Sequence, residues 1–157
     1  MKIKGKKLES TNEITIVLPR YNGEDIVFKA GVVLDFEYLD KVLKEPNPPS
    51  ILKKGRQEKD YEDKGYVSKV RKNYEYRLNY LAIMSLAATD GLEWETVDME
   101  KPETWGNWEK ELKDSGFPNS EIVYIFNKIQ EVNSLNQDKL DEARDHFLLA
   151  LSTQEKQ

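Results

Sequence analysis

The sequence predicts an α+β protein: an N-terminal β-hairpin or small antiparallel sheet, then a mainly helical domain of four to five helices. Three observations lead there. Apolar residues alternate through two short runs between residues 13 and 34, and an Asn-Gly dipeptide lies between them. Beyond residue 65 the apolar residues recur every three or four positions instead, which is the helical period. Glycine and proline then divide the second half into segments of helix length.

In the first run, "NEITIVLPR", Ile14, Ile16 and Leu18 share one face of a strand. In the second, "DIVFKAGVVL", Ile26, Phe28 and Ala30 match them. Between the runs stands Tyr21-Asn22-Gly23-Glu24, and Asn-Gly readily takes the positive φ of a tight hairpin turn. A lone two-stranded hairpin is marginal in water. Its apolar face therefore needs helices, or a further strand around Ile3–Leu8. "DFEYLDKVL" follows as a short helix, with Asp35 as N-cap and Phe36, Leu39, Val42 and Leu43 on one face. "EPNPPS" ends it, because proline lacks the amide and disfavours helix before it. These elements make residues 1–45 a β-rich region with a short helix. Residues 46–64 read as a Pro-containing basic linker, expected to be mobile.

The helical domain covers 65–153, with 154–157 as a polar tail. Its longest helix is expected from Tyr61 or Gly65 to Thr89. Val67, Val70, Tyr74, Leu78, Leu81, Ser85 and Ala88 trace its stripe, widened by Tyr76, Tyr80, Ile83 and Ala87. Its first half is charged and its second apolar, so it should project outward at the start and be buried at the end. Gly91 suits a left-handed C-cap. Pro102 or Thr104 opens a helix carrying Trp105, Trp108 and Leu112, which Gly116 closes. Asn119 or Ser120 caps the next, with Ile122, Ile125, Phe126, Ile129 and Val132 facing inward. Asn136 or Asp138 starts the last, with Leu140, Ala143, Phe147, Leu148 and Leu151 as its apolar stripe.

The totals exclude several functions. A net charge of −5 argues against general nucleic-acid binding, which needs clustered Lys and Arg. The absence of cysteine removes disulfides, thiolate metal sites and cysteine nucleophiles. The basic start "MKIKGKKLES" has no apolar run behind it, so no signal peptide is expected, and no stretch approaches the ~20 apolar residues of a membrane span. His146 is the single histidine, with Glu142 one turn before it; no second histidine exists to complete a metal site. Glu93, Glu95 and Asp98 read as surface charge beside Trp94, and Gly5-Lys6-Lys7 and Lys53-Lys54-Gly55-Arg56 as solubilising clusters. The sequence thus points to no catalytic residue, cofactor or metal, and to a protein-binding protein.

Candidate partner-binding residues are Tyr61, Tyr66, Trp94, Trp105 and Trp108. The two tyrosines fall in the charged half of the long helix, where a core role is harder to see, and tyrosine suits interfaces. The three tryptophans lie in "GLEWETVDMEKPETWGNW" among five acids. They read either as a loop stapled across the helical core or as a partner-binding patch. Charge is also uneven: residues 48–72 hold eight basic and four acidic residues, net +4, and residues 90–121 hold three basic and ten acidic, net −7. Such stretches could attract each other within one chain or between copies, where they would help head-to-tail association into a homo-oligomer.

"LPRYNGEDIVFKAGVVLDFEYLDKVLKEPNPP", "GLEWETVDMEKPETWGNWEKELKDSGF" and "EVNSLNQDKLDEARDHFL" together resemble phage tail assembly chaperones over most of the chain. The resemblance implies a non-enzymatic protein of a long-tailed phage that binds the tape measure protein and recruits the major tail protein until the tube assembles. It implies action in the bacterial host cytoplasm and absence from the mature virion. The family has no catalytic motif to carry across. Two other readings remain: a structural virion component of tail or neck, and an acidic phage inhibitor of a host protein.

Overall fold

The structure, a computed structural model, describes residues 1–8, 12–134 and 137–156. It is an α+β fold of small antiparallel hairpins and helices. The central hairpin pairs β3 (Glu13–Leu18) with β4 (Ile26–Gly31), after a two-residue-stranded hairpin β1 (Lys2–Ile3) and β2 (Lys6–Lys7). The alternation of the two runs is borne out. Ile16, Leu18, Phe28 and Ala30 are buried, while Val17 and Val27 face outward. The turn differs from the expected Asn-Gly one. Pairing closes at Leu18 and Ile26, so residues 19–25 form a longer loop. Pro19 has no amide to extend the ladder, and Asp25 Oδ1 accepts the Arg20 amide across the loop at 3.2 Å.

The sheet stops at two strands because side chains occupy the outer edge of β4. Thr89 Oγ1 accepts the Lys29 amide at 2.9 Å and donates to the Lys29 carbonyl at 3.1 Å. Ser85 Oγ, fully buried, donates to the Gly31 carbonyl at 2.7 Å, and Asn133 Oδ1 accepts the Val33 amide at 2.8 Å. Unpaired strand groups buried without such partners would be costly. Ser85 and Thr89 approach because Gly31 has no side chain: a Cβ there would stand 3.2 Å from Ala88 Cβ.

Helix α1 (Glu37–Val42) follows, with Asp35 Oδ1 accepting the Glu37 amide at 2.8 Å and Leu39 buried. Residues 46–64, expected as a mobile linker, instead contain a hairpin, β5 (Ser50–Lys53) and β6 (Arg56–Lys59). Its two-residue loop Lys54-Gly55 has φ of 49° and 74°, the sign that a tight hairpin loop demands. The same chemistry closes β1–β2, with Lys4 and Gly5 at 50° and 79°. Composition hid the second hairpin because its residues are nearly all exposed and its signal is turn geometry, not apolar alternation.

Helix α2 (Lys64–Leu86) begins where Asp63 accepts the Tyr66 amide at 2.8 Å. Its expected profile holds: the start is exposed and Tyr80, Ala82, Ile83, Ser85 and Leu86 are buried. The assigned stripe is corrected at its start, since Val67, Val70 and Tyr74 are exposed. With those three side chains in water, periodicity there marks no core contact.

A 3-10 turn (Pro102–Thr104) leads to α3 (Asn107–Asp114). Gly116, at φ 92°, ends α3: its amide donates to the Lys113 carbonyl at 3.0 Å, and the Phe117 amide reaches back to Leu112 at 3.0 Å. Buried Phe117 completes this Schellman cap. Helix α4 (Asn119–Asn133) buries the expected Ile122, Ile125, Ile129 and Val132 and part of Phe126. Pro118 occupies its N-cap, one residue before the expected Asn119. The last helix, α5, spans Gln137–Gln154; Asn136, one of its expected starts, lies outside the described residues. Its apolar stripe is a further correction: Leu140, Ala143, Phe147, Leu148 and Leu151 are all exposed, so α5 contributes none of them to the core.

Candidate functional site

Two of the five candidate residues belong to the core. Trp105 and Trp108 are each 0% exposed. Trp105 packs against the rings of Tyr80 and Tyr76, with centroids 5.3 and 6.3 Å away, and Trp108 stacks near Phe126 at 6.4 Å. Trp108 Nε1 donates to Asn79 Oδ1 at 3.0 Å, while Trp105 Nε1 has no hydrogen-bond partner among the described residues. Neither ring reaches a partner without unfolding its surroundings. Trp94 is half-buried against the same cluster.

The chain between the tryptophans is held down by polar anchors. The Glu111 carboxylate accepts the amides of Glu95 and Thr96 at 3.0 and 2.6 Å and the Thr96 hydroxyl at 2.5 Å. Partial burial pushes the Glu111 carboxyl up, but these three donors outweigh it and hold it below the usual carboxylate range. Thr104 Oγ1 accepts the Asp98 amide at 2.9 Å, and Tyr38 donates its hydroxyl to the Met99 carbonyl at 2.8 Å, tying the loop to α1. Glu93, Glu95, Glu100 and Glu103 remain exposed, and Asp98 is partly so. The acid-rich segment is thus a strap whose rings point inward and whose charges point out.

Tyr61 and Tyr66 stand apart from that cluster. They pack edge-to-face on each other, with centroids 5.9 Å apart, at the foot of α2. Tyr61 is exposed and Tyr66 half-buried. The structure therefore does not bring the five candidates together into one surface.

Two other surfaces emerge. One is the uncovered apolar face of α5, where Phe147 is 63% and Leu148 53% exposed. The sequence hid this because α5 shows the same apolar spacing as α4. A usable signal was its composition: acids and bases intervene throughout its first half. The other is a cleft of about 370 Å³ between the chain after α1 and the first half of α2. Leu43, Pro46 and Tyr76 supply apolar walls, and Lys44, Lys69 and Lys72 supply charge. Asn73 Nδ2 fixes one wall by donating to the Lys44 carbonyl at 3.2 Å, and Lys72 Nζ sits 5.8 Å from the Tyr76 ring centre.

Electrostatics elsewhere serve the fold. Arg20 forms a fork to Glu121 at 2.7 and 2.9 Å and lies 5.0 Å over the Phe117 ring, joining the β3 end to the α4 start. Burial raises the Tyr80 hydroxyl pKa, with the charges of Asp35 and Tyr38 adding to it. Among the described residues no group of His, Asp and Glu is placed to hold a metal ion, and no helix is long and apolar enough to cross a membrane. No protein-family model, curated protein or solved structure matches the chain.

Proposed function

We propose that the chain is a non-enzymatic tail assembly chaperone of a long-tailed phage, which binds the tape measure protein and recruits tail tube protein before the tube closes. The sequence resemblance supplies the identity of the partners. The observation that supports the mode of action is α5. It is a helix of 18 residues, about 27 Å long, whose Leu140, Phe147, Leu148, Leu149 and Leu151 are all uncovered. Monomeric proteins seldom leave so many neighbouring large apolar residues in water. A tape measure protein is itself a long helix and would expose apolar stripes before enclosure. Pairing of two apolar helix faces then shields both.

The test is co-expression with the tape measure protein of the encoding phage and pull-down in mild salt. Co-purification is expected, with strong loss for Phe147→Glu combined with Leu151→Glu. No co-purification of the unaltered chain overturns the reading. Mass spectrometry of purified virions should lack the protein; its presence at structural copy number supports a virion component instead.

A further inference from the structure

We infer that the lysine-rimmed cleft beside α2 receives the α5 helix of a second copy of this chain. The inference does not depend on which proteins the chain helps to assemble. It rests on two unfilled surfaces that complement each other in both polarity and charge.

The cleft is apolar within and basic at its edge. Leu43, Pro46 and Tyr76 would be covered by large apolar side chains, and among the described residues no acid contributes to the lining. The surrounding stretch of α2, residues 64–77, carries five basic residues and one acid, net +4. An occupant that suits it must bring apolar bulk and negative charge on one short element.

Helix α5 has that combination. Asp138, Asp141, Glu142 and Asp145 occupy its first half, and Phe147, Leu148, Leu149 and Leu151 its second. The helix carries a net charge of −2. Arg144 pairs only with acids of its own helix, Asp141 at 3.5 Å and Asp145 at 3.8 Å among the contacts described. Phe147, Leu148 and Leu151 share one side of the helix and would cover the cleft walls, and Asp141 and Asp145, which flank Leu148, would then reach Lys69 and Lys72.

The donor helix comes from another copy. Among the described residues, none of α5 lines its own chain's cleft. The end of α4, from which α5 departs, is tied to the far end of α2, where the Asn133 amide donates to Ser85 Oγ at 3.3 Å. Ser85 lies about 14 Å along the helix axis from Tyr76, the nearest cleft residue. Cleft and helix are different patches, so copies can join head to tail, each offering its α5 to the next. The acidic strap at 90–121, expected from charge alone to be the partner of the basic stretch, has Trp105 and Trp108 buried and Trp94 half-buried, and offers less apolar surface than α5.

The test is sedimentation of the purified full-length chain over a wide concentration range in low and high salt. The average mass should rise with concentration and fall with salt. Lys69→Glu with Lys72→Glu, and separately Phe147→Glu with Leu151→Glu, should each give monomers. An equimolar mixture of the two variants should form dimers and nothing larger, because only one functional cleft and one functional helix remain. Adding Asp141→Lys and Asp145→Lys to the cleft variant should restore association. Lys69, Lys72, Asp145, Phe147 and Leu151 are exposed and Asp141 is half-buried on a helix outside the core, so circular dichroism should show unchanged melting. A native chain that stays monomeric at low salt overturns the inference, even if α5 is protected from proteolysis, as does a cleft variant that associates like the native chain.

Discussion

At the scale of single residues, Trp105 and Trp108 offer a controlled comparison. Both are fully buried, and either one replaced by alanine should cost about 3–5 kcal/mol. Phenylalanine separates them. Trp108→Phe removes a buried donor and leaves Asn79 Oδ1 without its partner, whereas Trp105→Phe removes an indole N–H that has none. Trp108→Phe should therefore be the more destabilising by about 1 kcal/mol in urea melts; equal losses would mean that a water satisfies Trp105. Glu111 gives a pH-dependent counterpart. Its folded pKa is lowered, so its contribution to stability is present above the unfolded value of about 4.3 and is lost as pH falls through the folded value. The stability gap between the native chain and Glu111→Gln should be largest near neutral pH and close in acid. A gap independent of pH would show that packing of the side chain, rather than its charge, holds the strap.

At the scale of elements, the helices fall into two groups. Helix α4 and the end of α2 bury apolar faces against β3 and β4, whereas α5 buries none of its large apolar residues. Truncation after Ser134 should thus leave the melting temperature within about 2–4 °C, the shift of 1 kcal/mol in a domain of this size. A larger fall in dilute solution would place α5 on the core of its own chain. Periodicity identified both α4 and α5 as helices, because a 3–4 spacing of apolar residues puts them on one face whatever covers that face. It did not reveal that the face of α5 lacks a cover. The hairpin β5–β6 was illegible for the opposite reason: its strands are short and mostly polar, its two apolar residues Ile51 and Leu52 fall on opposite faces, and only the positive φ of Lys54 and Gly55 betrays it.

At the scale of the whole molecule, charge and apolarity are unevenly distributed. A basic half-helix projects from the core with a cleft at its side, and an acidic helix with an uncovered apolar end leaves the other end of the fold. Self-docking and partner docking would use the same face of α5, so the two should compete. A tape measure fragment added to the oligomer is then expected to lower its average mass by displacing helices from clefts. Addition of the fragment without change in mass would assign the two events to different surfaces.

The sequence alone determined the class of fold, the faces of β3 and β4, the inner face of α4 and the outward start of α2. Each follows from local rules, alternation in strands and a three-to-four spacing in helices, which do not need to know the neighbour. Only the tertiary structure decided which faces found a neighbour. It buried Trp105 and Trp108, left Trp94 half-covered, closed the edge of β4 with Ser85, Thr89 and Asn133, and left α5 bare. The physical reason is that burial belongs to pairs of surfaces. A residue's spacing sets the direction in which it points, but the water it loses is set by what the rest of the chain places opposite it.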